Sequence, residues 1–309
     1  AAADAGADAV KFQTFKASEL ISDHNQKYTY KSQGKKVTES MLDMFKRYEL
    51  DKEDWKKIKK RCDEKKILFL STPQNKTDLD LLLNLKITAI KVGSDDLTNL
   101  PLIKEYSSTG LPLFLSCGMA DLSEISTSLN TIGSFDGYPT VLLHTTSQYP
   151  TPEKDVNLLK LKTLQNTFPN IPVGFSDHTQ GPLASSLAVA LGAVIFEKHF
   201  TLDNNLLGPD HWFSENPLGL KQWCKNIKKS HAMLGNSLLK PTNTEIENKN
   251  EFRRFIVAIR DIQKNEVFSR KNIGMRRTSQ KNSLPPLFFE FLLGRKSVKE
   301  FSKGKSIQL

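Results

Sequence analysis

Seven short apolar runs, each followed by a stretch of helical period and each closing in polar residues, predict an α/β fold. The class expected is a (β/α)8 TIM barrel lacking its first strand, followed by a small β-rich domain. Three observations carry that expectation. The runs near Ala9, Leu68, Ile87, Leu113, Val141, Val173 and Val194 are apolar enough to be buried on both faces. Their polar residues gather at the C-terminal ends, where such barrels place their chemistry. Past residue 234 the composition turns polar and then strongly basic.

Taken in order, AAADAGADAV at 1–10 reads as the end of a helix with no initiator Met before it, so the chain is expected to be a fragment whose first strand is missing. Residues 9–15, AVKFQTF, form a strand whose period of two sets Lys11 and Gln13 on one face. Residues 16–37 are polar and read as irregular. Residues 39–50 and 51–66 have helical period, the second with Asp51 as N-cap and Glu53 and Asp54 in its first turn. The strand 67–74 ends at Thr72, and after helix 75–85 the strand 87–92 delivers Lys91, Ser94 and Asp96. Helix 100–106, strand 111–119 with Ser116, helix 121–132, strand 140–150 with His144, Ser147 and Tyr149, and helix 157–167 follow. Strands 173–175 and 194–196 flank helix 183–191, and helix 218–234 closes the barrel domain, 1–234. No Gly-rich dinucleotide loop follows an early strand, which sets an open doubly wound sheet second. Residues 235–250, with Pro241 and no sustained apolar period, read as a linker. Residues 251–309 read as the β-rich domain, with turns at Lys264-Asn265, Gly294 and Lys303-Gly304.

The net charge of +10 is concentrated at the end: residues 251–309 hold 14 Lys/Arg against 5 Asp/Glu. Such a tail fits an anionic partner, either a nucleic acid or a small phosphorylated or carboxylated substrate. Three widely spaced cysteines, Cys62, Cys117 and Cys224, fit a reducing compartment such as the cytoplasm better than a disulfide framework. No apolar run is long enough to span a bilayer.

The chemistry centres on residues 172–217. Parallel neighbouring strands end in Ser176-Asp177-His178 and Glu197-Lys198-His199, which brings the two imidazoles side by side. With Glu197, Asp177 and Asp210 nearby, they suit a divalent metal with open positions for substrate. Around them, Lys11, Lys91, Thr72, Ser94, Ser116, Ser147 and Ser176 come from six strand ends. Two ammonium groups and a ring of hydroxyls suit a phosphate or a phosphorylated acid. A single Ser at a barrel mouth says little; six contributing strand ends say more.

The stretches ADAVKFQTF, LSTP, IKVGSDDLTNLPLI, LSCGMA, HTTSQYPTP, VGFSDHT, FEKHFTLD and GPDHWFSENP resemble the sialic acid (N-acetylneuraminate) synthase family. RRFIVAIRDIQKNE and LLGRKSV resemble that family's C-terminal antifreeze-like (SAF) domain. The resemblance implies condensation of phosphoenolpyruvate with the open-chain aldehyde of an N-acylated hexosamine, N-acetylmannosamine or a 2,4-diacetamido sugar, with release of phosphate. It implies that Lys11, Thr72, Lys91, Ser94, Ser116, Ser147 and Ser176 hold phosphoenolpyruvate and that His178 and His199 bind Mn2+ or Mg2+. Gln13, Tyr149, Glu197 and Asp210 would position the sugar, and Asp96 would assist proton transfer or orient the water that adds to C2. Arg254 would reach over a partner's barrel in a domain-swapped homodimer and bind the acyl group. Asp96 stands where many bacterial members carry Glu, and Ser147 where Asn is common.

Two other readings stand beside this one. A Schiff-base aldolase would use Lys11 or Lys91 and survive chelation. A non-catalytic nucleic-acid binder would use the basic tail, but that tail has no aromatic interleaving, zinc spacing or recognition helix. Neither a nucleic acid nor a membrane is therefore expected as a partner.

Overall fold

The computed structural model describes residues 1–280 and 282–308. The chain folds as two units, Ala1–Gly235 and Asn236–Leu309.

The first unit opens with α1 (Ala2–Ala5), β1 (Ala9–Thr14), α2 (Ala17–Leu20), β2 (Lys27–Ser32), β3 (Lys35–Ser40), α3 (Met41–Tyr48) and α4 (Lys52–Glu64). Regular alternation follows: β4 (Leu68–Pro73), α5 (Lys76–Asn84), β5 (Ile90–Val92), α6 (Leu100–Ser107), β6 (Leu113–Ser116), α7 (Leu122–Ile132), β7 (Thr140–Thr145) and α8 (Lys160–Thr167). It closes with β8 (Val173–Asp177), α9 (Leu183–Ala190), β9 (Phe196–Lys198) and α10 (Pro217–Leu234). β1 pairs β4 in parallel, and β5 to β9 form a five-stranded parallel sheet in chain order. β4 runs beside β5, so the parallel strands curl in one sequence, as in a TIM barrel.

Helices cover the outside of this curl, and the core lies between the two layers. Ile90, Val92, Leu113, Leu115 and Leu142 are fully buried, together with Leu82, Leu129 and Leu161 from the helices. Cutting any of these leucines to Ala costs about 2–5 kcal/mol. Gly174 lets β8 approach its neighbours, since a Cβ there would lie 2.5 Å from both the Ile195 carbonyl and Leu143 Cδ2.

Three sequence expectations for this unit are corrected. Residues 16–37 are not irregular: they hold α2 and most of the antiparallel β2–β3 hairpin, whose turn residues Gln33 and Gly34 both have positive φ, 49° and 78°. Glu39 and Ser40 belong to β3, with the Ser40 hydroxyl capping α3 through Asp43 N. The last strand sits two residues later than 194–196, so Glu197 and Lys198 lie within it.

In the second unit, part of the expected linker 235–250 is helical. α11 (Asn243–Phe252) starts in a capping box in which Thr242 and Glu245 each bond the other's backbone N–H. Strand is sparser than β-rich implies: β10 (Arg254–Ala258) pairs antiparallel with β11 (Ile273–Arg277), joined by isolated bridges at Ser306, Phe301 and Lys296. α12 (Phe289–Leu292) completes the unit, whose core includes Ile256, Phe268, Phe289 and Phe301. Asn265, Gly294 and Gly304 have positive φ at the turns the sequence marked.

Candidate active site

Side-chain alternation decides which polar residues meet. On β8 and β9, Ser176 and Glu197 face inward, and the Ser176 hydroxyl donates to Glu197 Oε1 at 2.8 Å. The intervening Asp177 and Lys198 face the other way and pair at 3.1 Å, both nearly fully buried. Asp177 also accepts from the Thr179 N–H and hydroxyl and from Ser185, while Lys198 donates to the Thr179 and Gly181 carbonyls. Asp177, expected near a metal, is therefore occupied in packing β8 against α9.

Glu197 anchors the inward cluster. Its carboxylate lies 3.4 Å from Lys11 Nζ on β1 and 4.0 Å from Lys91 Nζ on β5. Burial acts to raise this carboxyl, but Lys11, Lys91, the Ser176 hydroxyl and His199 outweigh it and hold it well below the usual carboxylate range. Lys91 donates to Ser116 Oγ at 2.6 Å and to the Val92 carbonyl at 2.8 Å. Burial brings Lys91 down to about 8, against the opposing pull of Glu197, so it remains mostly cationic at pH 7.

Two further hydroxyls flank this cluster around Gly118. A Cβ at Gly118 would stand 2.5 Å from Ser147 Oγ and 2.8 Å from Ser94 Oγ, and the Gly118 N–H donates to Ser94 Oγ at 3.0 Å. Among the described residues Ser147 Oγ is buried with no hydrogen-bond partner, so its hydroxyl is available to a ligand oxygen. Thr72 is buried at the end of β4, in register with the exposed Gln13 of β1.

The imidazoles of His178 and His199 stand edge to face, ring centroids 5.2 Å apart. Tyr149 packs on both, at 4.3 and 5.5 Å, and Phe213 packs on His199 at 5.2 Å and on Tyr149 at 5.9 Å. His178 Nδ1 donates to the Thr146 carbonyl at 2.7 Å, leaving the Nε2 lone pair free. Burial, then the neighbouring His199, lower His178 to about 4, so it is neutral at pH 7. His199 Nδ1 faces Asp210 Oδ2 at 3.4 Å. Each ring is thus oriented through Nδ1 by an outer oxygen, the arrangement that presents Nε2 to a divalent metal. Two imidazole donors could contribute to holding a divalent metal, with the remaining positions left to substrate and water oxygens. Among the described residues no group of three or more His, Cys, Asp or Glu gathers to hold a metal unaided.

Asp96 lies one loop away, where its carboxylate accepts from Asn99 at 3.0 Å and burial raises it. His144 is structural: its Nε2 meets the Val156 carbonyl at 2.8 Å and its ring stacks on Phe175. Arg254 opens β10 in the second unit, exposed and opposite Arg277. The sequence reading passed over Phe213, Gly118 and the Thr146 carbonyl. Phe213 lay inside GPDHWFSENP, where only its buried aromatic character marked it.

The profile described as NeuB family matches residues 1–238. The chain belongs to the NeuB family. A NeuB relative, the N,N'-diacetyllegionaminic acid synthase of Campylobacter jejuni, is 38% identical over 309 residues, covering 99% of this chain and 92% of the relative. A pseudaminic acid synthase of the same strain is 30% identical over 308 residues, covering 100% and 89%. A solved N-acetylneuraminic acid synthetase from Leptospira borgpetersenii, in complex with citrate, superposes with a TM-score of 0.71 at 33% identity, covering 81% of this chain and 84% of that one. No described helix of this NeuB chain is long and apolar enough to cross a membrane.

Proposed function

We propose that the chain condenses phosphoenolpyruvate with the open-chain aldehyde of a 2,4-diacetamido hexose, giving a nonulosonic acid of the N,N'-diacetyllegionaminic type and inorganic phosphate. The observation that carries the proposal is the junction of two half-sites: the Lys11–Glu197–Lys91–Ser116 cluster with its unpartnered Ser147 hydroxyl, and the two imidazoles behind Tyr149. The higher identity to the legionaminic synthase than to the pseudaminic one supports the choice of acceptor.

The reaction forms a bond between C3 of phosphoenolpyruvate and the aldehyde carbon, whose oxygen gains a proton. Water then adds to C2, and the bond from C2 to the phosphate oxygen breaks. Lys11 and Lys91, with Thr72, Ser94, Ser116, Ser147 and Ser176, neutralise and fix the phosphate and carboxylate of phosphoenolpyruvate throughout. Gln13, Tyr149, Glu197 and Asp210 hold the sugar so that its aldehyde lies in reach of C3. Asp96, raised by burial, is suited to exchange a proton or to orient the water. A Mn2+ or Mg2+ ion held by His178 and His199 would polarise the aldehyde oxygen. Arg254, contributed by the antifreeze-like second unit of a partner in a homodimer, is the proposed contact for the acyl group. The residue types involved, and buried free thiols at Cys62, Cys117 and Cys224, suit the cytoplasm.

The test is phosphate release by the purified full-length protein from phosphoenolpyruvate, against N-acetylmannosamine and 2,4-diacetamido hexoses, with and without manganese. Release is expected only with an aldehyde acceptor, fastest with the legionaminic-series sugar, and the product mass should equal both substrates plus water minus phosphoric acid. Release without acceptor, or a lysine trapped by borohydride, would overturn the proposal in favour of other chemistry.

A further inference from the structure

The β2–β3 hairpin, which sequence reading left irregular, is fastened to the loop that carries Asp210. Gln33 Nε2 donates to the Asn205 carbonyl at 2.7 Å, the Gly208 N–H donates to Ser32 Oγ at 3.2 Å, and Lys31 Nζ stands 4.3 Å over the Trp212 ring. Tyr48, from the end of α3, lies against the same loop: a Cβ at Gly208, where φ is +143°, would stand 2.9 Å from its hydroxyl oxygen. Two residues on, Asp210 turns to His199. Hairpin, α3 and loop therefore build one wall, with Asp210 at its inner end.

That wall presents an unusual surface. Tyr28 and Tyr48 remain 37% and 38% exposed, although large aromatic side chains gain from burial. Tyr28 stacks on Tyr30 at 5.8 Å, and Tyr30 is already committed to Glu39 at 2.5 Å. Arg47, bound to the same Glu39, lies over the Tyr48 ring. Burial raises both the Tyr28 and Tyr48 phenols, with the Asp210 charge adding to it at Tyr28 and Arg47 opposing it at Tyr48, so each is an O–H donor at pH 7. Neutral phenol donors and partly exposed rings share a wall with a carboxylate acceptor. An acetamido group needs that set: a donor for its carbonyl, an acceptor for its N–H and an apolar face for its methyl.

We infer that Tyr28 and Tyr48 are specificity-determining residues that read the acetamido substituent at C4 of the acceptor sugar, the one N-acetylmannosamine lacks. The inference rests on the proposed condensation, which would set the aldehyde near His199 and so within reach of Asp210 on this wall. Tyr30, whose hydroxyl is satisfied within the hairpin, takes no part in the reading.

The experiment compares wild type, Tyr28→Phe, Tyr48→Phe and Tyr30→Phe with two acceptors, a 2,4-diacetamido hexose and N-acetylmannosamine, by turnover and by titration calorimetry of each sugar. The ratio of kcat/KM values, diacetamido over monoacetamido, is expected to fall about tenfold in Tyr28→Phe and Tyr48→Phe, carried by KM, and to hold in Tyr30→Phe. A ratio unchanged in both variants, or lowered equally in Tyr30→Phe, overturns the inference. The binding arm separates the two levels: a wild type that turns over neither sugar removes the condensation reading, while a variant-sensitive binding preference for the diacetamido sugar would still uphold the tyrosines. A wild type that binds the two sugars equally overturns them whatever its turnover.

Discussion

Replacing Glu197 by Gln removes the one carboxylate placed between Lys11 and Lys91 while keeping the shape of the side chain and the contact to Ser176. At 4.0 Å and an effective dielectric of 20, a unit pair interacts by about 4 kcal/mol. Glu197 keeps 20% exposure and divides its charge between two lysines, so we take about one third of that, roughly 1.4 kcal/mol, or about one pH unit. A lysine lowered from 10.5 to about 8 loses its charge as pH rises through about 8, so under the proposed reaction wild-type kcat/KM for phosphoenolpyruvate is expected to fall on the alkaline side there. Without the carboxylate the ammonium form is less favoured, and the limb moves down by about one unit. At pH 8 the charged fraction of Lys91 drops about fivefold, against less than twofold at pH 6, whatever pH-independent loss accompanies the weakened hold on the sugar. The assay is a steady-state pH series with phosphoenolpyruvate varied and the sugar saturating. An alkaline limb that stays in place, or moves upward, would refute the electrostatic coupling of Glu197 to Lys91.

Other consequences follow from single atoms. Ser147→Ala deletes a buried hydroxyl that has no partner among the described residues, so the melting temperature should hold or rise while KM for phosphoenolpyruvate increases about tenfold. Lys198→Ala strands the fully buried Asp177 carboxylate and should cost about 3–5 kcal/mol in a denaturant titration, although neither residue faces the substrate cavity. Gly174→Ala forces a Cβ to within 2.5 Å of the Ile195 carbonyl and Leu143, and should destabilise by about 1–3 kcal/mol in the same titration.

The βα order was legible because a parallel strand covered on both sides must be apolar along its length, as LFLS at β6 and TVLLHT at β7 are. The parallel pairing of the last two strands brought their ends, and with them His178 and His199, side by side. Asp177 misled because a carboxylate beside two histidines has the composition of a ligand; its burial against Lys198 and Ser185 arises from α9 packing, which no local pattern records. The hairpin escaped because KYTYKS and KKVTES are polar on both faces and turn on Gln-Gly, without the Asn-Gly or Asp-Gly that marks such turns. α11 escaped for the complementary reason. None of its described side chains is buried, so no apolar stripe appears, and its start is signalled by the Thr242 and Glu245 capping pair. The strands proved shorter than their apolar runs: Ile87 and Ala89 are buried before β5 begins at Ile90, so burial alone overstates strand length.

The central claim is that two imidazoles and a phosphate-binding cluster serve one reacting centre. Crystals grown with manganese and phosphoenolpyruvate test it directly, through the anomalous signal of the metal. The account predicts one manganese peak within about 2.3 Å of Nε2 of both His178 and His199, with the phosphate against Lys91, Ser116 and Ser147. Manganese bound elsewhere, or phosphoenolpyruvate seated away from Lys91, would contradict it.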